Sequence, residues 1–229
     1  MKWRGLEEAA ATTQTKTLAE QLRDRRELGE RYTPADVVAL YQRAIEEIRD
    51  SDLASRALKV GDRAPDFSLP DDNENPVSSA SFLATGALII CFFRGRWCPY
   101  DVTQLEAMNA TMPQIQSAGA SLVAVSPQKP QQAFFMRDQH KFQFPLLCDL
   151  GNQVARQFGL VYRVPDYQQQ VYQRSFVNLP FANGDNSWEL PAPATYVVGS
   201  DGVIKFRRVD VDYRERPEPL EILEVVTSS

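Results

Sequence analysis

A single histidine, His140, and three widely spaced cysteines, Cys91, Cys98 and Cys148, are the imidazole and thiol groups that 229 residues offer. They lack the paired spacing of a zinc site, so no metal is expected. Three cysteines are also too few for a secreted disulfide framework. No apolar run nears the roughly 18 residues that would cross a bilayer. The first residues, "MKWRGLEEAAATTQTKT", lack the apolar core of a signal peptide. A cytoplasmic protein without membrane association is expected. The net charge of −5 gives no general basis for binding nucleic acid. There is no glycine-rich phosphate loop, and nothing calls for a cofactor. His140 reads as a surface residue after a helix.

What is present is an ordinary globular composition, 43% hydrophobic and 24% charged. The length allows one large domain, or a medium domain with an appended piece. Residues 1–16 are polar and aperiodic, and read as a flexible tail. Residues 17–58 read as a helical extension, with helix from Leu18 and a stronger one from Thr33-Pro34. There Thr33 is the expected N-cap and Pro34 the first helical residue. Val37, Leu40, Tyr41, Ala44, Ile45 and Ile48 recur at steps of three and four, an apolar stripe that must dock on the following domain. Arg43, Glu46, Glu47 and Arg49 on the other face are expected in solvent.

From residue 59 to 229 short apolar runs alternate with helical segments. Ala87–Phe93, Ser121–Val125, Pro145–Cys148 and Ala194–Val198 are the predicted strands. Helices are predicted over Pro99–Ser117, Pro130–His140 and Gly151–Phe158. This alternation predicts an α/β sheet built from βαβ units. Asp201-Gly202 marks a hairpin turn. Residues 161–192 fit no period.

The informative stretch is "IICFFRGRWCPYDVTQLEAM". An apolar strand ends at Arg94-Gly95-Arg96, and Pro99 then opens a helix, which places Cys98 at the helix N-cap. Exposed N–H groups and the helix dipole favour a thiolate there, and Arg94 and Arg96 add positive charge. Cys98 is therefore the candidate nucleophile. The plain alternative, a buried and inert thiol, fits Cys91 inside the strand better. Asp101 stands where a dithiol motif would have its second cysteine. It reads either as a modulator of the thiol or as an ordinary acid of the first helical turn. The second reading is preferred, and the first predicts that Asp101 raises the Cys98 pKa.

Taken together, "VGDRAPDFSLPD", "FFRGRWCPYD", "VAVSPQ", "FPLLCDLGNQVARQFGL" and "PAPATYVVGSDGVIKFRRVDVDYRERPEP" resemble the AhpC/TSA family. Within it they are similar to the peroxiredoxin-like branch with a WCPYC-type site, here altered to WCPYD. The resemblance implies a thioredoxin-like fold, a central mixed sheet flanked by helices. It also implies a cysteine, Cys98, that reduces hydrogen peroxide or a small organic hydroperoxide and becomes a sulfenic acid. A thiol such as thioredoxin, glutathione or glutaredoxin would restore it, and a homodimer is the family's expectation. Trp97 and Pro99 match the residues flanking the cysteine. Pro193 falls where thioredoxin-like proteins place a cis-proline facing it.

Two departures accompany the resemblance. The family's threonine three residues before the cysteine is Gly95 here, and its proline seven before is Cys91. Its distant arginine is missing, with Pro193 in the aligned position and Arg94 or Arg96 as stand-ins. Without a cysteine at 101, recycling is expected to fall to an external thiol, with Cys148 as the alternative resolving residue. A monothiol thioredoxin-like oxidoreductase, and a redox sensor or scaffold that has lost catalysis, are the competing functional readings.

Overall fold

The computed structural model describes residues 16–228. The tail expected over residues 1–16 lies outside them except for Lys16. The chain runs α1 (Leu18–Tyr32), α2 (Ala35–Asp50), α3 (Leu53–Arg56), β1 (Ser68–Pro70), β2 (Pro76–Ser78), α4 (Ser79–Leu83) and β3 (Leu88–Phe92). It continues with α5 (Pro99–Ala110), α6 (Met112–Ser117), β4 (Ser121–Ser126), α7 (Pro130–His140), β5 (Leu146–Cys148) and α8 (Gln153–Gln157). The last elements are β6 (Val161–Arg163), α9 (Asp166–Arg174), α10 (Leu179–Asn183), β7 (Glu189–Pro191), β8 (Ala194–Val198), β9 (Ile204–Val209) and α11 (Pro219–Thr227).

The central sheet has the order β5-β4-β3-β8-β9. β3, β4 and β5 are parallel through helical crossovers, whereas β8 and β9 are antiparallel and joined by the Asp201-Gly202 turn. The fold is thus α/β with a mixed sheet. β3 lies in the middle, and the period of two divides it. Ile89, Cys91 and Phe93 face a core closed by α5, α6, α7 and α11. Leu88, Ile90 and Phe92 face a second core with Phe158 of the α8 turn and Tyr196. Each such Leu, Ile or Phe stabilises the fold by about 1.5–3 kcal/mol on full burial.

The expected long helix over 99–117 is broken at Thr111, because Pro113 lies in the first turn of α6 and cannot extend a preceding helix. Thr33 does not cap α2. Its N–H closes α1 on the Gly29 carbonyl, and Pro34 takes the cap position without a side-chain bond. Ala44, Ile45 and Ile48 are buried, and Arg43, Glu46, Glu47 and Arg49 face solvent. α1 starts in a capping box between Thr17 and Glu20, and the distant Glu218 carboxylate also accepts the N–H groups of Leu18 and Ala19. An acid at that end complements the helix dipole. His140 is the last residue of α7 and is partly covered, paired with Glu106 and stacked on Phe142.

Candidate active site

β3 ends in the centre of the sheet, with Phe93 N–H still bonded to the Val125 carbonyl. The chain then turns through Arg94-Gly95-Arg96. Gly95 adopts a φ of +149°, and a Cβ there would lie 2.6 Å from the Trp97 indole nitrogen. The turn therefore requires glycine. Cys98 N–H closes it on the Gly95 carbonyl, and Cys98 becomes the N-cap of α5 with Pro99 in the first turn. That much follows the sequence signals.

The environment differs from the sequence expectation. Cys98 is fully buried, 0% exposed, so the burial assigned to Cys91 extends to it. Of the two candidate arginines, Arg94 is the partner: buried to 2% exposure, it points its Nη2 at Cys98 Sγ at 2.8 Å. Its Nη1 donates to the Tyr172 hydroxyl at 3.3 Å, and the guanidinium stacks 3.8 Å over the Tyr213 ring. Trp97 packs against Tyr172. Arg96 turns outward, where its Nε donates to Gln132 and its backbone N–H to Gln128.

Asp101 is not an ordinary first-turn acid. It is 0% exposed. One carboxylate oxygen accepts the backbone N–H groups of Arg94 (2.8 Å) and Gly95 (3.3 Å), the donors left free where β3 ends. The other accepts from the buried Arg216 guanidinium. Arg216 Nε donates to Gln104, whose amide reaches Thr195 on β8. Asp101 thereby pins the turn, the helix start and the segment after β9 to one another.

The electrostatics follow from this geometry. Burial pushes the Cys98 thiol above its ordinary value; Arg94 pulls it down, Asp101 pushes it up and Arg216 pulls it down. The expected lowering by the helix terminus is outweighed, because a buried thiolate loses water as its solvent. Burial also works against the Arg94 charge, yet Cys98, Tyr172 and Tyr162 lift its pKa well above the ordinary guanidinium value. With Cys98 neutral, the cluster Arg94, Arg216 and Asp101 carries a net positive charge. Ionising Cys98 cancels it.

Pro193 is buried, but no peptide among the described residues is cis, so the expected cis-proline is not found. Its carbonyl accepts from Asp210 N–H, one residue beyond the paired ends of β8 and β9. Cys148 is not brought beside Cys98. It ends β5, with β4 between it and β3, and its Sγ points at the Asp71 carbonyl at 4.0 Å. Burial and the nearby acids Asp72, Asp71 and Glu74 push its thiol up to about 12. Cys91, wholly buried, is also pushed up to about 12.

Residues overlooked in the sequence complete the site. Tyr41, Tyr100, Tyr162, Tyr172 and Tyr213 come from separate segments and converge around Arg94. The available signal was tyrosine in segments without period, such as 161–192. Arg216 stood in "DYRERPEP" without a mark to separate it from Arg214.

Residues 60–207 match the model of the AhpC/TSA family. The chain belongs to that family. Peroxiredoxin Bcp of Escherichia coli (strain K12) is 31% identical to this AhpC/TSA chain over 103 residues, 45% of this chain and 65% of that one. The alignment thus spans just under two thirds of that relative. Among solved structures, peroxidoxin BcpB of Mycobacterium tuberculosis matches with a TM-score of 0.59 at 19% identity, over 75% of this chain and 97% of that one. Peroxiredoxin Q of Xanthomonas campestris matches with a TM-score of 0.54 at 18% identity, over 71% and 90%. These two likenesses establish the fold. Helices α1 and α2, Tyr213 and Arg216 all lie outside the family match.

Proposed function

We propose that this AhpC/TSA chain is a thiol peroxidase with Cys98 as its nucleophile. The observation that carries the reading is the Arg94 guanidinium 2.8 Å from Cys98 Sγ at the start of a helix. It supplies the positive group that the family pattern draws from elsewhere. The Cys98 thiolate attacks one oxygen of a hydroperoxide and the O–O bond breaks. The departing alkoxide or hydroxide takes a proton and leaves as alcohol or water, with Cys98 left as sulfenic acid. Arg94 faces the charge that develops on the oxygens. Two external thiols then return Cys98 to its reduced form in the cytoplasm, where reduced thiols prevail. Burial of Cys98 argues against a monothiol oxidoreductase acting on protein disulfides, since exchange needs access to the sulfur. It also argues against Cys148 as the resolving thiol, because that sulfur faces Asp71 instead.

The test is intact-mass spectrometry of the reduced protein after near-stoichiometric hydroperoxide and dimedone. One adduct is expected in the wild type and none in Cys98→Ser. An equal adduct in Cys98→Ser, or neither adduct nor disulfide in the wild type, sinks the proposal.

A pH dependence follows from the raised Cys98 pKa. Only the thiolate attacks, and its population grows as pH approaches that pKa from below. The second-order rate with hydrogen peroxide is therefore expected to climb through neutrality and to keep climbing past pH 9.0, the ordinary thiol value. A plateau below pH 7 in stopped-flow traces contradicts this.

A further inference from the structure

Helices α1 and α2 do more than cover the fold. Together with Trp97, Tyr100, Tyr172 and Tyr213 they wall a cavity of about 280 Å³ whose lining includes Arg94. The Cys98 Sγ lies 2.8 Å from the Nη2 of that arginine and does not itself line the cavity. The charge lining the cavity is lopsided: Arg25, Arg26, Arg94 and Arg214 stand against Glu30. Glu30 is engaged by Arg26 at 2.9 Å, and Arg214 by Asp212 at 2.8 Å. Arg25 is half-buried and has no carboxylate partner among the described residues. A cation kept partly desolvated without a counter-ion favours an anionic ligand. The flanking aromatic rings provide apolar contact, and the volume lies just below the usual range of small-ligand sites, about 300–1,000 Å³.

We infer that this cavity is the docking site of the reductant, and that the reductant is a small thiol bearing carboxylates, anchored by Arg25, rather than a cysteine of another protein. The inference rests on the peroxidase reading above. Hydrogen peroxide is too small to need such an anchor, whereas a thiol must be held while it attacks. A protein thiol must bring its sulfur to bonding distance, near 2.05 Å. Here α1 packs on α5, and the start of α5 is tied down through Asp101 and Arg216. A small thiol needs only side-chain movement of Arg94 and its aromatic neighbours.

The chemistry balances with two equivalents. The first thiolate attacks the sulfur of the Cys98 sulfenic acid, an S–S bond forms, and the hydroxyl leaves as water after taking a proton. A second thiolate attacks the small-molecule sulfur of that mixed disulfide. The S–S bond breaks, Cys98 leaves reduced, and the two small thiols depart as their disulfide.

S-methylglutathione carries both carboxylates and cannot react, so it probes binding without turnover. Calorimetric titration into the reduced full chain is expected to give saturable one-to-one binding. Arg25→Gln should weaken it about tenfold, the loss of one charge-assisted contact. The diethyl ester of the same probe should bind at least about tenfold more weakly than the acid, for the same reason. Equal affinity for acid and ester, or no binding of the acid at concentrations on the order of 10 mM, overturns the inference. In turnover, glutathione is expected to recycle Cys98 faster than thioredoxin, and the reverse order overturns it. A carboxylated hydroperoxide that gains from Arg25 while thiols do not would assign the anion site to substrate, again against the inference. Dimedone labelling keeps the two failures apart. Loss of the adduct strikes the peroxidase reading, while an intact adduct with no anion binding strikes only this one.

Discussion

Asp101→Asn is expected to lower folding stability by about 3–5 kcal/mol, the usual cost of removing one partner from a buried ion pair. Asparagine keeps an oxygen for the N–H groups of Arg94 and Gly95, so the turn retains its acceptor. What it removes is the charge opposite Arg216, whose side chain has no exposed surface. The guanidinium would be left in the interior with only Gln104 and backbone carbonyls as acceptors. Chemical denaturation measures the loss, and the double variant with Arg216→Met should recover much of it, since neither charge then remains buried alone. The same substitution should let the Cys98 thiolate form at lower pH, because Asp101 is among the groups pushing that thiol up. Ultraviolet titration of the thiolate follows this directly. An unchanged titration would show that the Asp101 charge is not felt at the sulfur. Unchanged stability would show that the Asp101–Arg216 pair does not hold the helix start.

Arg94→Met is expected to slow the reaction of Cys98 with peroxide by about 10²–10³-fold, the range found when one preorganised donor to a developing oxyanion is lost. Two effects act together. The group that lowers the Cys98 pKa most disappears while the burial that raises it stays, so less thiolate is present. The departing oxygen also loses the cation nearest to the sulfur. Arg94→Lys should fall between the two, keeping a charge but not the planar fork that spans Cys98 and the Tyr172 hydroxyl while lying on Tyr213. Arg96→Met should change the rate little, as Arg96 faces Gln132. Stopped-flow rates for the three variants decide the matter. A larger loss in Arg96→Met than in Arg94→Met would reverse the assignment of the two arginines.

The features of this chain that were legible in one dimension are those set by neighbours in sequence. The apolar run from Leu88 to Phe92 specifies a buried central strand. Gly95 is the residue that permits the turn's backbone, and Pro99 opens a helix with Cys98 as its cap. The Asp201-Gly202 hairpin and the apolar stripe of α2 are local in the same sense. Backbone sterics and periodicity act over a few residues, so the sequence by itself determined the strand–turn–helix and the candidate nucleophile upon it. Tertiary structure decided the rest. It chose Arg94 over Arg96, because the turn directs one side chain under the tyrosines and the other outward. It made Asp101 a buried anchor, because Arg216 returns to it from 115 residues away. It buried Cys98 against the Arg94 guanidinium, and that burial reversed the expected direction of its pKa. Desolvation and charge pairing depend on which distant segments arrive at a point in space, and no local pattern carries that information.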